Sequence, residues 1–251
     1  MIATPQHSDK SQQFVYAEFA EYYDKLGWHL FARDCAMRLK AFTRLRGTGN
    51  EKVLDLACGT GELEYMLRNT KLRFTGVDLS PGMLKEGRRK NRSVKFVEGD
   101  IASVRLNKHF DLVICFFDSV NHLISFADLK KVFKTARAHL RPGGFFIFDM
   151  LSPNGLAEWE FFDIKRKPDY TVITNGSFES SNNTVDITIE GFIRKKDANY
   201  FRFLQKIRER SYPFAKIVDA LGKASFLNIS VSSFNPDQPV ENCSRWFFVV
   251  S

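Results

Sequence analysis

Apolar positions follow two rhythms along this chain, and the change of rhythm divides it. Between residues 52 and 151, short apolar runs alternate with amphipathic stretches. "KVLDLA" (52–57), "RFTGVDL" (73–79), "VKFVEGD" (94–100), "FDLVICFF" (110–117) and "GGFFIFDML" (143–151) read as strands that are apolar on both faces. Between them, Glu62–Arg68, "SPGMLKEGRRK" and "FADLKKVFKTARAHL" (126–140) carry helical spacing. Ser80 is placed to cap the second of these helices, with Pro81 in its first turn, and Arg-Pro-Gly-Gly stops the third. Strands buried on both faces and separated by helices predict a parallel sheet covered on both sides.

The flanks differ. Tyr16, Phe19, Tyr23, Leu26 and Leu30 step by three and four, predicting a helix that Gly27 separates from a second one through Leu39, Phe42 and Leu45. Residues 1–13 lack any period and read as a disordered tail. After residue 151 the period shortens to two. Val185, Ile187 and Ile189 alternate with Asp186, Thr188 and Glu190, and "YFRFLQKIRER" (200–210) alternates as well, which predicts an antiparallel hairpin. A helix over "YPFAKIVDALGKASF" and strands at "NISVSSF" and "SRWFFVVS" close the chain. The expected organisation is one domain over 14–251. It comprises a helical cap (14–46), a core (51–151), a β lid inserted after the fifth strand (152–212) and a closing helix with two strands (213–251).

Composition narrows this picture only a little. The 251 residues are 44% apolar, enough for a sizeable core, and the formal net charge of +8 invites an anionic partner without requiring one. Cys35, Cys58, Cys115 and Cys243 stand far apart. That spacing suits reduced thiols in a cytoplasmic protein and offers no metal site. No apolar run approaches membrane-spanning length, so no membrane partner is expected.

The chemistry concentrates where strands end. In "VLDLACGTGELEYML" a buried strand breaks at Gly59 and Gly61 and a helix starts at once, a geometry that lets a ligand approach the backbone. The third glycine of a dinucleotide fingerprint is replaced by Glu64, and acids at 62 and 64 suit a cationic or zwitterionic cofactor better than a pyrophosphate. Asp78 closes the next strand, 17 residues beyond Gly61, where an acid can accept both hydroxyls of a ribose. Asp100 ends the third strand beside Ile101.

"VLDLACGTGE", "GVDLSPGML", "FVEGDI", "FDLVICFFDSVNHL" and "LRPGGFFIFDM" together resemble the successive motifs of class I S-adenosylmethionine-dependent methyltransferases, over about residues 51–151. The resemblance implies an α/β fold, a doubly wound Rossmann-like seven-stranded sheet with its last strand antiparallel, and S-adenosylmethionine as cofactor. It implies that Asp55, Gly59 and Gly61 hold the methionine portion and that Asp78 takes the ribose. Leu79 would pack on the adenine, Asp100 and Ile101 would read its edge, and Phe116 would sit near the methionine end. The family usually has Gly where this chain has Ala57. "FDSVNHL" and the Tyr23-Asp24 pair are similar to small-molecule amine and amino-sugar methyltransferases, which implies that Tyr16 and Tyr23 reach over the cofactor. His122 is then a candidate general base, because histidine titrates in the right range to help an amine lose its proton. Asp118 and Asn121 are candidates to orient acceptor or imidazole. The acceptor is expected to be a small molecule methylated on N or O, with a homodimer through the lid as a further expectation. Two other readings stay open. One is an RNA methyltransferase using Arg202, Lys206, Arg208 and Arg210 on one face of the hairpin; the other is a catalytically silent domain that binds the cofactor.

Overall fold

The computed structural model describes residues 19–46, 49–197 and 199–251; the expected tail and Tyr16 lie outside the described residues. Five parallel strands form the heart of the molecule: β1 (Lys52–Leu56), β2 (Arg73–Asp78), β3 (Lys95–Glu98), β4 (Phe110–Cys115) and β5 (Leu140–Leu151). A second sheet follows, built from β6 (Phe162–Lys167), β7 (Tyr170–Glu179), β8 (Thr184–Arg194) and β9 (Tyr200–Arg210). The chain then returns to the first sheet with β10 (Ile229–Ser233) and β11 (Arg245–Val250). The first sheet runs β10-β11-β5-β4-β1-β2-β3, and β11 is antiparallel to both its neighbours. Strand order reverses between β1 and β4, so a crevice opens outside their carboxyl ends, where doubly wound sheets bind ligands.

The helices are α1 (Ala20–Tyr23), α2 (Ala32–Leu45), α3 (Glu62–Met66), α4 (Pro81–Lys90), α5 (Phe126–His139), α6 (Pro153–Ala157) and α7 (Phe214–Lys223). Leu129, Val132 and Phe133 of α5 and Ile217 and Leu221 of α7 bury one face of the first sheet. Cys35 and Leu39 of α2 and Leu63 of α3 bury the other. Phe146, Phe148 and Phe248 stack across β5 and β11, with centroids 4.7 and 4.5 Å apart. Each fully buried ring contributes about 1.5–3 kcal/mol. Ser80 caps α4 as its sequence predicts, its hydroxyl accepting from the Met83 N–H at 3.3 Å.

Two expectations need correction. The amino-terminal stripe breaks at Gly27 (φ +92°) as expected, but α1 already ends at Tyr23, turns follow, and Leu30 is exposed. In α2 the buried stripe is Cys35, Ala36, Leu39 and Thr43, which leaves Leu45 off the stripe and in solvent. The expected antiparallel hairpin is present as β8 and β9, and it forms one edge of a four-stranded antiparallel sheet. Its inner face packs Val185, Ile187, Phe203 and Ile207 against Phe19, Leu26 and Leu156. Among the described residues, no helix is long and apolar enough to cross a membrane.

Candidate functional site

At the end of β1 the backbone turns left-handed three times, at Ala57 (φ +67°), Gly59 (+55°) and Gly61 (+66°). Ala57 holds a conformation that costs a residue with a Cβ about 1–2 kcal/mol, which accounts for glycine being the usual occupant. A side chain on Gly59 would meet nothing within 4 Å, so the turn opens onto free space there; one on Gly61 would strike the Phe96 ring at 2.7 Å. The Gly59 and Ser80 N–H groups each donate to one oxygen of Asp78, both at 2.8 Å. The Asp78 carboxylate is thereby aimed across the ends of β1 and β2, with a lone pair on each oxygen to spare. Leu79 follows it partly exposed, while Asp100 after β3 accepts from the Ala102 N–H at 2.8 Å and Ile101 is buried.

Beside this turn lie two acids that the protein leaves without a counter-charge in direct contact. Asp55 is almost fully buried, and Glu64 is fully buried with no hydrogen-bond partner on either carboxyl oxygen. Burial pushes the Glu64 carboxyl up to about 7. Burial, together with the neighbouring Glu64 and Asp78, pushes Asp55 well above the usual carboxylate range. The cap is tied to the same turn. Thr60 donates its hydroxyl to Asp24 at 2.9 Å, and Lys90 at the end of α4 bonds both Asp24 and Glu62. Tyr23 stacks its ring on Phe19, and its hydroxyl is kept protonated by burial and by Asp118, Asp24, Asp78 and Glu209. It therefore stands where both ends of the crevice can be reached.

Beyond β4, Phe117 (φ +64°) and Asp118 (φ +47°) are both left-handed, and a 3₁₀ turn spans Ser119–His122. Strain of this kind persists where surrounding contacts over-determine it. The Asp118 N–H donates to Asp149 at 3.0 Å, and Arg245 of β11 bonds Asp118 at 2.9 Å as well as Asp149. Asp149 is fully buried, and its second oxygen has no partner. Burial works against the Arg245 charge, but the two aspartates outweigh it and hold that charge firmly in place. His122 Nε2 lies 3.7 Å from Glu209 Oε1 of β9. Burial lowers the His122 pKa against the opposing pull of Asp118, so the ring is neutral at pH 7. Glu209 is 4% exposed, one of its oxygens has no partner, and burial followed by the Asp118 charge pushes its carboxyl well up.

Two candidate residues are engaged elsewhere. Asn121 is fully buried: its Nδ2 donates to the Leu151 and Arg210 carbonyls at 3.1 Å each, and its Oδ1 accepts from the Leu151 N–H at 2.9 Å. With those bonds made, it clasps β5 to β9. The Phe116 ring stacks on Phe247 in the core at 6.0 Å, so only its backbone reaches the strand end. Cys115 is buried in β4 with its thiol pushed well up by burial, the environment of an inert thiol. Asp149, Glu209 and Arg245 are not singled out by any motif in the sequence, although Glu209 breaks an otherwise largely apolar face of β9 and Asp149 lies inside an apolar run.

The buried acids at the glycine turn, neither of them bonded to a cation, fit a ligand that brings positive charge, as the ammonium and sulfonium of S-adenosylmethionine do. A family model described as "Methyltransferase domain" matches residues 53–144. The solved structure of an S-adenosylmethionine-dependent methyltransferase from Clostridium acetobutylicum ATCC 824 is 30% identical to this chain. It covers 94% of this chain and 98% of its own, with a TM-score of 0.80. The chain belongs to the class I S-adenosylmethionine-dependent methyltransferases. The methyltransferase is also 32% identical over 133 residues to a dTDP-3-amino-3,6-dideoxy-alpha-D-glucopyranose N,N-dimethyltransferase of Streptomyces fradiae, a match spanning 51% of each chain. DesVI of Streptomyces venezuelae shares the fold of the methyltransferase, with a TM-score of 0.73 at 22% identity over 93% of this chain and 96% of that one.

Proposed function

We propose that this methyltransferase methylates the nitrogen of a small-molecule amine. The observation that carries the reading is the sign of the charge beyond β4. Asp118, Asp149 and Glu209 are gathered there, with Arg245 the one cation bonded among them in the described residues. A site with surplus buried negative charge selects a cation over a phenolate, a carboxylate or a phosphate backbone. The amino-sugar specificity of the Streptomyces fradiae relative agrees with this. The RNA reading loses ground because the second sheet answers its own basic face: Arg202 pairs with Glu190 at 2.7 Å and Arg208 with Asp186 at 2.5 Å.

In this reading Asp55 and Glu64 face the cofactor's ammonium, the Gly59–Gly61 turn lies against its methionine portion, and Asp78 takes the ribose. Leu79, Asp100 and Ile101 meet the adenine, and Tyr23 covers the methionine end. When bound, S-adenosylmethionine supplies a methyl group whose bond to sulfur breaks with the electron pair left on sulfur. The protein's task is alignment, which can contribute up to about 7–11 kcal/mol, and removal of a proton from the amine. His122, neutral at pH 7, accepts that proton, and residues 152–212 close over the acceptor as a lid.

A screen of labelled methyl transfer to amines, amino sugars, phenols, carboxylates and bulk tRNA tests this. Label on an amine nitrogen is expected; label on tRNA or on a phenol would overturn it. With the acceptor in hand, His122→Ala should lower turnover about a hundredfold with cofactor affinity unchanged. The acid limb of the wild-type pH profile should lie below pH 6.5, since burial lowers this histidine from its ordinary 6.5.

A further inference from the structure

The inner face of β9 should be apolar throughout, since its partners across the packing are Phe19, Leu26 and Leu156. Phe203 and Ile207 obey, but Gln205 and Glu209 share their face by alternation and are as buried as they are, and of the two polar groups Glu209 is the ionisable one with an unbonded oxygen. A carboxyl group removed from water with an oxygen left unbonded is destabilising, and nothing in the fold of β9 needs it: across the ladder Glu209 stands opposite Val185. The groups facing it come from four other elements. They are Asp118 and His122 from the 3₁₀ turn, Asp149 from β5, Arg245 from β11 and Tyr23 from the cap. Arg245 is already committed to Asp118 and Asp149.

We propose that Glu209, carried into the crevice by the second sheet and standing against His122, is the anion that receives the ammonium group of the acceptor. The proposal rests on the amine reading above and adds to it a residue and a wall of the site. The acceptor enters as R–NH3⁺ against ionised Glu209. Glu209 holds the ammonium as its counter-anion, one N–H proton passes to the neighbouring neutral His122 ring, the nitrogen keeps its lone pair, and the neutral amine so formed is the nucleophile. Where Glu209 is protonated before binding, arrival of the ammonium expels that proton to solvent.

The test uses full-length protein saturated with S-adenosylhomocysteine and titrated with propylammonium chloride, against potassium chloride at equal ionic strength. The reporter is the His122 ring resonance. A saturable shift is expected with propylammonium and not with potassium. Its apparent Kd should rise at least tenfold in Glu209→Gln and less in Glu209→Asp, while affinity for S-adenosylhomocysteine stays constant in both. No saturable shift in the wild type, or an equal Kd in Glu209→Gln, overturns the proposal. Should Glu209→Gln fail to fold, the comparison of wild type with Glu209→Asp decides. A propylammonium Kd raised in Glu209→Asp supports the proposal, and an equal Kd overturns it. The two readings can fail separately. An oxygen acceptor in the screen with a Glu209-dependent ammonium response removes the amine reading alone, and an amine acceptor without that response removes Glu209 alone.

Discussion

At the cofactor end of the crevice, Asp55, Glu64, Asp78 and Asp100 lie within a stretch of 46 positions, and the backbone arranges them through a left-handed turn and two N–H bonds to Asp78. At the acceptor end Asp118 and Arg245 are 127 positions apart, Asp149 and Arg245 are 96 apart, and Glu209 arrives from an inserted sheet. The difference extends to charge. Glu64 has no cation bonded to it, and the nearby Lys90 bonds Asp24 and Glu62 instead. The acceptor end has a cation of its own in Arg245. One end keeps its acids under tension until a ligand brings positive charge, while the other uses an internal cation as part of the fold. Substitutions at the two ends should therefore change stability with opposite sign.

The largest effect is expected from Arg245→Met. It strands Asp118 and Asp149, and breaking a buried pair from one side costs about 3–5 kcal/mol; urea unfolding at pH 7 should show that loss. A loss under 1 kcal/mol would mean that the acceptor end is not held by its cation. Glu64→Gln should do the reverse. A glutamate raised from 4.5 to about 7 binds more protons folded than unfolded, so its penalty is absent below pH 4.5 and grows as pH rises. It is complete above pH 7, at about 3 kcal/mol. The variant should therefore be more stable than wild type at pH 8 and indistinguishable at pH 4. The same linkage predicts that S-adenosylhomocysteine binds more tightly to wild type at pH 8 than at pH 6, and that this pH dependence shrinks in Glu64→Gln. Unfolding curves and calorimetry at the two pH values check both statements. Asp78→Ala removes charge-assisted bonds to the ribose worth about 1.5–3 kcal/mol, so affinity for S-adenosylhomocysteine should fall about tenfold or more. Equal affinity would take Asp78 out of the site. The smallest effect belongs to Arg208→Ala, whose exposed pair with Asp186 is worth about 0–1 kcal/mol or less. Turnover on a small amine should not change, and a large loss would revive a phosphate-binding role for that face.

The same contrast decides what could be read from the residues. Strands β1 to β5 are legible because both their faces are buried, and the cofactor end is legible because its acids close successive strands. The second sheet is half hidden. Every residue of β6 is exposed, so Phe162 to Lys167 carries no burial period at all. In β7 the pair Asn175-Gly176 has the look of a turn, yet Gly176 is in mid-strand because a Cβ there would lie 1.8 Å from the Trp159 carbonyl oxygen. Asn121 and His122 are neighbours in sequence but differ in task, since one is spent on backbone groups from β5 and β9 and the other faces Glu209. Alternation along β9 puts Arg202, Lys206, Arg208 and Arg210 on one face, while the informative residue on that strand is the acid on the opposite face. Nothing local connects Arg245 to Asp118, and a pairing across 127 positions is visible only once β11 lies beside β5.

Leu151 and Ser211 lie 60 positions apart, yet the Ser211 hydroxyl donates to the Leu151 carbonyl at 2.9 Å, and Asn121 bridges the same carbonyl to Arg210. The four-stranded sheet thus leaves the main body and rejoins it through a single doorway. A chain passing directly from β5 to α7 would need only a tight turn there, and its route through the other seven strands would be unchanged. In modular terms, descent or design can lengthen, exchange or remove the second sheet, the wall we propose for the acceptor, while the route through the cofactor half stays the same, so in that reading substrate range can drift independently of the methyl donor.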